Sequence, residues 1–163
     1  NNAGHLVGRA AIADMTDDHW FKTINVNLTS TFFCTRAVLP YMNSGWGRIV
    51  NMSSLAARNG GGNGATAYAA SKAAVIAFTR GLCKEVADKG ITVNAVAPGL
   101  ILETPFHETF TSKNVIEGVI SSTPLKRAGT PEDVANAVLY FVTHLGSFIT
   151  GEIMDINGGA YFG

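Results

Sequence analysis

Three short strand-like runs, Gly47 to Ser54, Ile91 to Ala97 and Glu152 to Ile156, are separated by stretches far too long for hairpins. Those stretches carry helix punctuation. Thr16-Asp17-Asp18 places a hydroxyl N-cap and two acids at a positive helix end, and apolar residues follow at Trp20, Ile24, Leu28, Phe32, Ala37 and Leu39, predicting a long helix to about Tyr41. A second helix is expected from about Ala67 to Lys89, stopped by Gly90, and a third opens at Thr130-Pro131-Glu132-Asp133. Strands joined through helices imply right-handed crossovers and a parallel sheet with helices on both faces. A doubly wound dinucleotide fold is built from two such halves. The expected class is therefore α/β, a partial doubly wound (Rossmann-like) parallel sheet with its first half missing, and a bare edge on the strand that ends at Ser54.

The 163 residues, 47% hydrophobic and 15% charged, suit one globular domain spanning 1–163. Twelve basic residues balance twelve acidic ones with no basic run, which argues against nucleic acid or an anionic membrane as a partner. No stretch is apolar enough to span a bilayer. Cys34 and Cys83 lack the spacing of a zinc or redox motif, and His5, His19, His107 and His144 show no metal-ligand spacing, so no metal is expected. Buried free thiols fit a reducing, cytoplasmic setting. The start, Asn1-Asn2-Ala3-Gly4, lacks a methionine and reads as the middle of something longer.

The chemistry concentrates in Tyr68-Ala-Ala-Ser-Lys72 and the preceding Ser53-Ser54. Tyrosine and lysine four residues apart share one helix face. The ammonium is expected to favour the phenolate and pull the tyrosine pKa from about 10 towards neutrality. A serine hydroxyl at the end of a strand then holds a substrate oxygen beside the phenol. The set suggests proton transfer to or from a carbonyl or alcohol.

These residues resemble the C-terminal part of a short-chain dehydrogenase/reductase. Asn1-Asn2-Ala3-Gly4 is similar to the family's NNAG element, Asn25-Val26-Asn27-Leu28 to the segment holding its catalytic asparagine, and Tyr68 to Lys72 to its YxxxK motif. Asn94-Ala95-Val96-Ala97-Pro98-Gly99 resembles the strand and turn near the nicotinamide. Arg127 to Asp133, Thr150-Gly151 and Asn157-Gly158-Gly159 resemble its C-terminal stretch. The family's glycine-rich TGxxxGxG turn is absent, and the serine-to-tyrosine spacing is one residue longer than its commonest pattern. Of the two serines, Ser54 gives the closer spacing.

The resemblance implies an NAD- or NADP-dependent oxidoreductase acting on a small alcohol or carbonyl. It implies Asn27, Ser54, Tyr68 and Lys72 as the catalytic set. Asn27 would organise a water beside Lys72, and Lys72 would also hold the nicotinamide ribose. Asn2, Ala3, Gly4, Tyr68, Lys72, Pro98, Gly99, Ile101 and Thr104 are the implied cofactor contacts. Residues 100–127 match the variable substrate lid, in which Phe106 and Phe110 either line an apolar pocket or pin the lid down. The helices over 17–41 and 67–89, with small residues at Ala69, Ala70, Ala73, Ala74 and Ala77, resemble the pair that forms a homo-oligomer, a dimer or tetramer. The alternative is a catalytically inactive piece of such an enzyme, serving as an oligomerisation or scaffold module.

Overall fold

A computed structural model of the chain describes residues 1–42 and 45–163, apart from the side chains of residues 107 and 108. The expectation for His107 as a non-ligand lies outside the described residues. Three parallel strands, β1 (Gly47–Met52), β2 (Ile91–Pro98) and β3 (Ile153–Ile156), form a sheet in the order β1-β2-β3. Gly47 pairs with Ile91 and Met52 with Val96, while Ala95 pairs with Ile153. β2 is buried from Ile91 to Ala97, as a central strand covered on both faces must be.

The helical run from residue 17 to 41 is continuous but not uniform. Between α1 (Asp17–Ile24) and α2 (Ser30–Val38) lies a π-helical turn, Asn25–Thr29, and a 3-10 turn, Leu39–Tyr41, ends the run. Hydroxyls bond back to carbonyls along it: Ser30 Oγ donates to Val26 O at 2.7 Å and Thr31 Oγ1 to Asn27 O at 3.0 Å. Such bonds compete with the regular ladder and accompany a widened turn. Thr16 caps α1 as its chemistry predicts, accepting from His19 N at 3.2 Å.

β1 stops two residues before Ser54. Ser53 N still donates to Val96 O at 2.8 Å, and the chain then turns into the short α3 (Ala56–Asn59), closed by Gly60 at φ +84°. α4 (Thr66–Val86) extends through a 3-10 turn to Lys89 and ends at Gly90, φ +67°. It packs one face of the sheet, where Ile49, Leu82, Cys83, Val86, Ile91 and Val93 form one cluster and Ile76, Ala95, Ala97 and Ile153 another. α7 (Pro131–Val142) crosses the other face against all three strands. Thr130 and Asp133 close a reciprocal capping box at its start. Residues 100–127 hold two helices, α5 (Pro105–Phe110) and α6 (Lys113–Ser122).

The edge of β1 is partly covered. The Asn1 amino group donates to Val50 O at 3.0 Å and Met52 N donates to Asn1 O at 3.1 Å. Asn1 Nδ2 adds bonds to Thr35 Oγ1 and Asn51 Oδ1. The expectation of a bare edge therefore fails at its C-terminal end, because the main chain of Asn1 hydrogen-bonds alongside it. Strand pleating still turns the main chain of Arg48 away from β2.

Candidate active site

Tyr68 and Lys72 stand in the first turns of α4, where the C-terminal end of β1 meets the helix. Lys72 is only 3% exposed, and its Nζ donates to Met52 O at 2.8 Å, which satisfies an edge carbonyl of β1. The Lys72 ammonium lies 5.7 Å from the centre of the Tyr68 ring. The two adjacent serines are divided in use. Ser53 is buried, with its hydroxyl donating to Lys72 O at 2.9 Å. The Ser54 hydroxyl accepts from Ala56 N at 3.1 Å and is placed to hydrogen-bond the Tyr68 phenolate.

The charge environment differs from expectation. Tyr68 sits above its ordinary pKa because burial disfavours the phenolate, and the Ser54 hydrogen bond offsets this only in part. Burial likewise lowers Lys72 to about 8. A lysine four residues away does not by itself depress a tyrosine, since both groups leave water together. Among the described residues no carboxylate pairs with the ammonium.

Asn27 is fully buried in the π-turn, and its side-chain amide is committed. Nδ2 donates to His5 O and to Thr23 O, each at 2.8 Å, while Oδ1 accepts from His5 N at 3.1 Å. This amide holds the NNAG segment the way a neighbouring strand would. The terminal loop is therefore anchored at Asn1 and His5. Between those anchors, a Cβ on Gly4 would lie 2.8 Å from Lys72 Nζ and 2.9 Å from Asn27 Oδ1. Only glycine lets the backbone pass so close to both.

A cleft of about 910 Å³ opens here. It brings together Asn2, Gly4, Ser54, Tyr68, Lys72, Pro98, Gly99, Ile101 and Thr104, whereas Ala3 and Asn27 are not on its wall. The Thr104 hydroxyl is turned back onto Ile101 O at 3.2 Å. Phe106 packs on Tyr68 at 5.7 Å between ring centres, Phe110 meets Phe106 at 5.4 Å, and His5 meets Phe110 edge-on at 5.2 Å. The two phenylalanines thus line the cleft and fasten α5 against it at once. Two contributions escape a reading of the sequence. One is His5, marked only by following the NNAG element. The other is an α7 wall of Val134, Val138 and Val142, whose four-residue repeat is a helix face visible in the sequence once its direction is known.

A nicotinamide dinucleotide fits this site in part. Lys72 spends one of three donors on Met52 O and has others for a ribose diol. Gly4, Pro98 and Gly99 line the same cleft beside it. The glycine run 60–64 joins α3 to α4, not a strand to a helix, and packs against Arg9 and Ala10. Among the described residues the pyrophosphate has no glycine-rich turn of the strand-to-helix kind. None of the clusters of His, Cys, Asp or Glu among the described residues suits a metal ion, and no described helix is long and apolar enough to cross a membrane.

A cleft at the carboxyl ends of parallel strands is where open α/β sheets bind their ligands. Residues 1–161 match the family described as enoyl-(acyl carrier protein) reductase. The chain is 44% identical over 160 residues to a 3-oxoacyl-[acyl-carrier-protein] reductase of Thermotoga maritima, covering 98% of this chain and 63% of that protein. It is 40% identical over 162 residues to nodulation protein G of Azospirillum brasilense, with the same coverage, 98% and 63%. A crystal structure of a short-chain dehydrogenase/reductase (glucose/ribitol dehydrogenase) from Brucella melitensis superposes with a TM-score of 0.90 at 34% identity, covering 100% of this chain and 64% of that one. The chain belongs to the short-chain dehydrogenase/reductase family. It spans about 63% of the length of those two curated relatives.

Proposed function

We propose that this chain carries the proton-transfer and nicotinamide-facing part of an NAD(P)-dependent oxidoreductase that interconverts an alcohol and a ketone or aldehyde. The observation that carries this reading is the opening of Ser54, Tyr68 and Lys72 onto one cleft, with Tyr68 holding its proton more tightly than free tyrosine. The bound dinucleotide supplies or accepts the hydride. Ser54 hydrogen-bonds the substrate oxygen, and Tyr68 gives that oxygen its phenolic proton as negative charge develops. Lys72, still largely protonated below about 8, stabilises the resulting phenolate and holds the ribose. Asn27 fixes the chain at His5 through its side-chain amide, and Oδ1, which accepts only from His5 N, keeps a lone pair for a water beside Lys72. Asn2, Ala3, Gly4, Pro98, Gly99, Ile101 and Thr104 form the nicotinamide side of the site. The aromatic lid favours a carbonyl with apolar substituents, and the 3-oxoacyl-[acyl-carrier-protein] in the names of relatives falls within that class.

Exposed Phe21, Phe32 and Phe33 on the α1–α2 run, beside the outward Ala70 and Ala77 of α4, support a homo-oligomer built on these helices.

The test is turnover by the full-length protein with NADH or NADPH and a panel of ketones. Tyr68→Phe is expected to lower kcat by about 10²- to 10⁴-fold while the dinucleotide Kd stays within about threefold. Undiminished turnover removes Tyr68 from the reaction. The second reading, an inactive scaffold module, draws on the partly open β1 edge and the apolar wall of α7. Titrating the folded 163-residue chain with each dinucleotide separates the two. Saturable binding favours the enzyme part, and no binding favours the module.

A further inference from the structure

We propose that Arg9 is a positioning residue that latches the substrate lid over Tyr68. This rests on the carbonyl reaction proposed above. Arg9 lies outside the cleft wall and reaches the lid from the loop after the NNAG segment. Its Nε and Nη2 both donate to Phe110 O, each at 3.3 Å, and its Nη1 donates to Asn63 O at 2.9 Å. Phe110 ends α5, so its carbonyl has no helical donor of its own, and the guanidinium fork supplies one. One side chain thereby ties the lid helix to the glycine run.

That run is shaped to receive it. A Cβ on Gly64 would lie 3.0 Å from both Arg9 Cβ and Ala10 N, and one on Gly62 would lie 3.4 Å from Arg9 Nη1. Ala10 N donates to Gly64 O at 3.1 Å, which fixes the base of the Arg9 side chain against the same loop. With the end of α5 held there, Phe110 rests edge-on against His5 and Phe106 against the Tyr68 ring. Arg9 thus acts on the reacting atoms only through the lid, and the glycine run is the other jaw of the latch.

The experiment compares full-length wild type with Arg9→Ala and Arg9→Lys by amide hydrogen exchange across 105–110 and by steady-state kinetics. Three charge-assisted bonds are lost in the alanine variant, and lysine restores a single point contact. Arg9→Ala is expected to speed exchange in 105–110 about tenfold or more and to raise the ketone KM about tenfold. Its kcat is expected to stay within about threefold and its dinucleotide Kd within about twofold, with Arg9→Lys between the two in both readouts. Unchanged lid exchange overturns the latch, as does a fall in kcat at constant KM. If the wild type reduces no carbonyl, faster lid exchange in Arg9→Ala still upholds the contact, and only the enzymatic reading fails. Arg9 is exposed, so the variants are expected to fold, and Arg9→Lys alone decides the question by the same two readouts if the alanine variant does not fold.

Discussion

The two faces of the sheet are closed to different degrees. On one, α4 buries residues along its whole length, from Ala67 through Lys72 and Val75 to Val86. On the other, α7 buries only Phe141 among its residues and leaves Leu139 57% exposed. Tyr68 and Lys72 belong to the closed face, and the apolar wall of the cleft belongs to the open one. Holding a reactive group within a fraction of an ångström requires dense packing, which only the α4 side supplies. A face that receives a large ligand, or another part of the fold, stays unfilled.

The sharpest test of that contrast is the charge buried on the closed face. Lys72 ordinarily titrates at 10.5 and here at about 8. Below about 8 both folded and unfolded chains bind the proton, and the folded state bears the full cost of burying it. Between about 8 and 10 the unfolded chain still holds a proton that the folded chain has released, so stability rises with pH. Above about 10 Tyr68 acts in the opposite sense, since its buried phenol keeps a proton that the unfolded tyrosine loses. Denaturant unfolding at steps from pH 7 to 10 should therefore show wild type gaining on the order of 3 kcal/mol relative to Lys72→Met. Parallel curves for the two proteins would mean that the ammonium is hydrated and the face is not closed.

A packing pair probes both faces at once. Val75 is completely buried under α4, while Val138 is half-buried on the cleft side of α7. Val75→Ala is expected to cost about 2 kcal/mol in unfolding free energy, and Val138→Ala less than about 1. Equal losses would show that α7 is as firmly packed as α4 and would erase the distinction.

Much of this arrangement is legible in the sequence, for local reasons. Thr16, Thr130 and Gly90 mark helix ends through their own backbone chemistry, and the four-residue step from Tyr68 to Lys72 puts them on one helix face whatever surrounds them. The unbroken apolar run of β2 announces a strand covered on both faces. What escapes depends on partners distant in the chain. The pKa direction at Tyr68 is set by how deeply its neighbours bury it, not by the lysine alone. That Asn27 also ties down the chain at His5 through its side-chain amide shows only once the fold brings residues 5 and 27 together. α3 has no side-chain cap to advertise it, and the π-turn shows only in the bonds its hydroxyls make. Arg9 and the glycine run acquire meaning from each other, more than fifty residues apart.

The smallest expected effect locates the border between the two regimes. Arg58, on the short helix behind Ser54, forks onto Asp155 of β3, with Nε to Oδ1 and Nη2 to Oδ2 both at 3.3 Å. The side chains are 19% and 23% exposed, neither sealed like Lys72 nor free like the pair Lys22 and Asp18 on α1. An ion pair in that position contributes about 1 kcal/mol, because part of its attraction is returned as desolvation. Arg58→Ala and Asp155→Asn should each lower stability by about that amount, and the double variant should lose little more than either alone. The double-mutant cycle also reports on the site, since Arg58 steadies the turn that presents Ser54. Additive losses would show that the two side chains act independently. The Ser54 turn would then rest on hydrogen bonds of its own, such as Ala56 N to Ser54 Oγ.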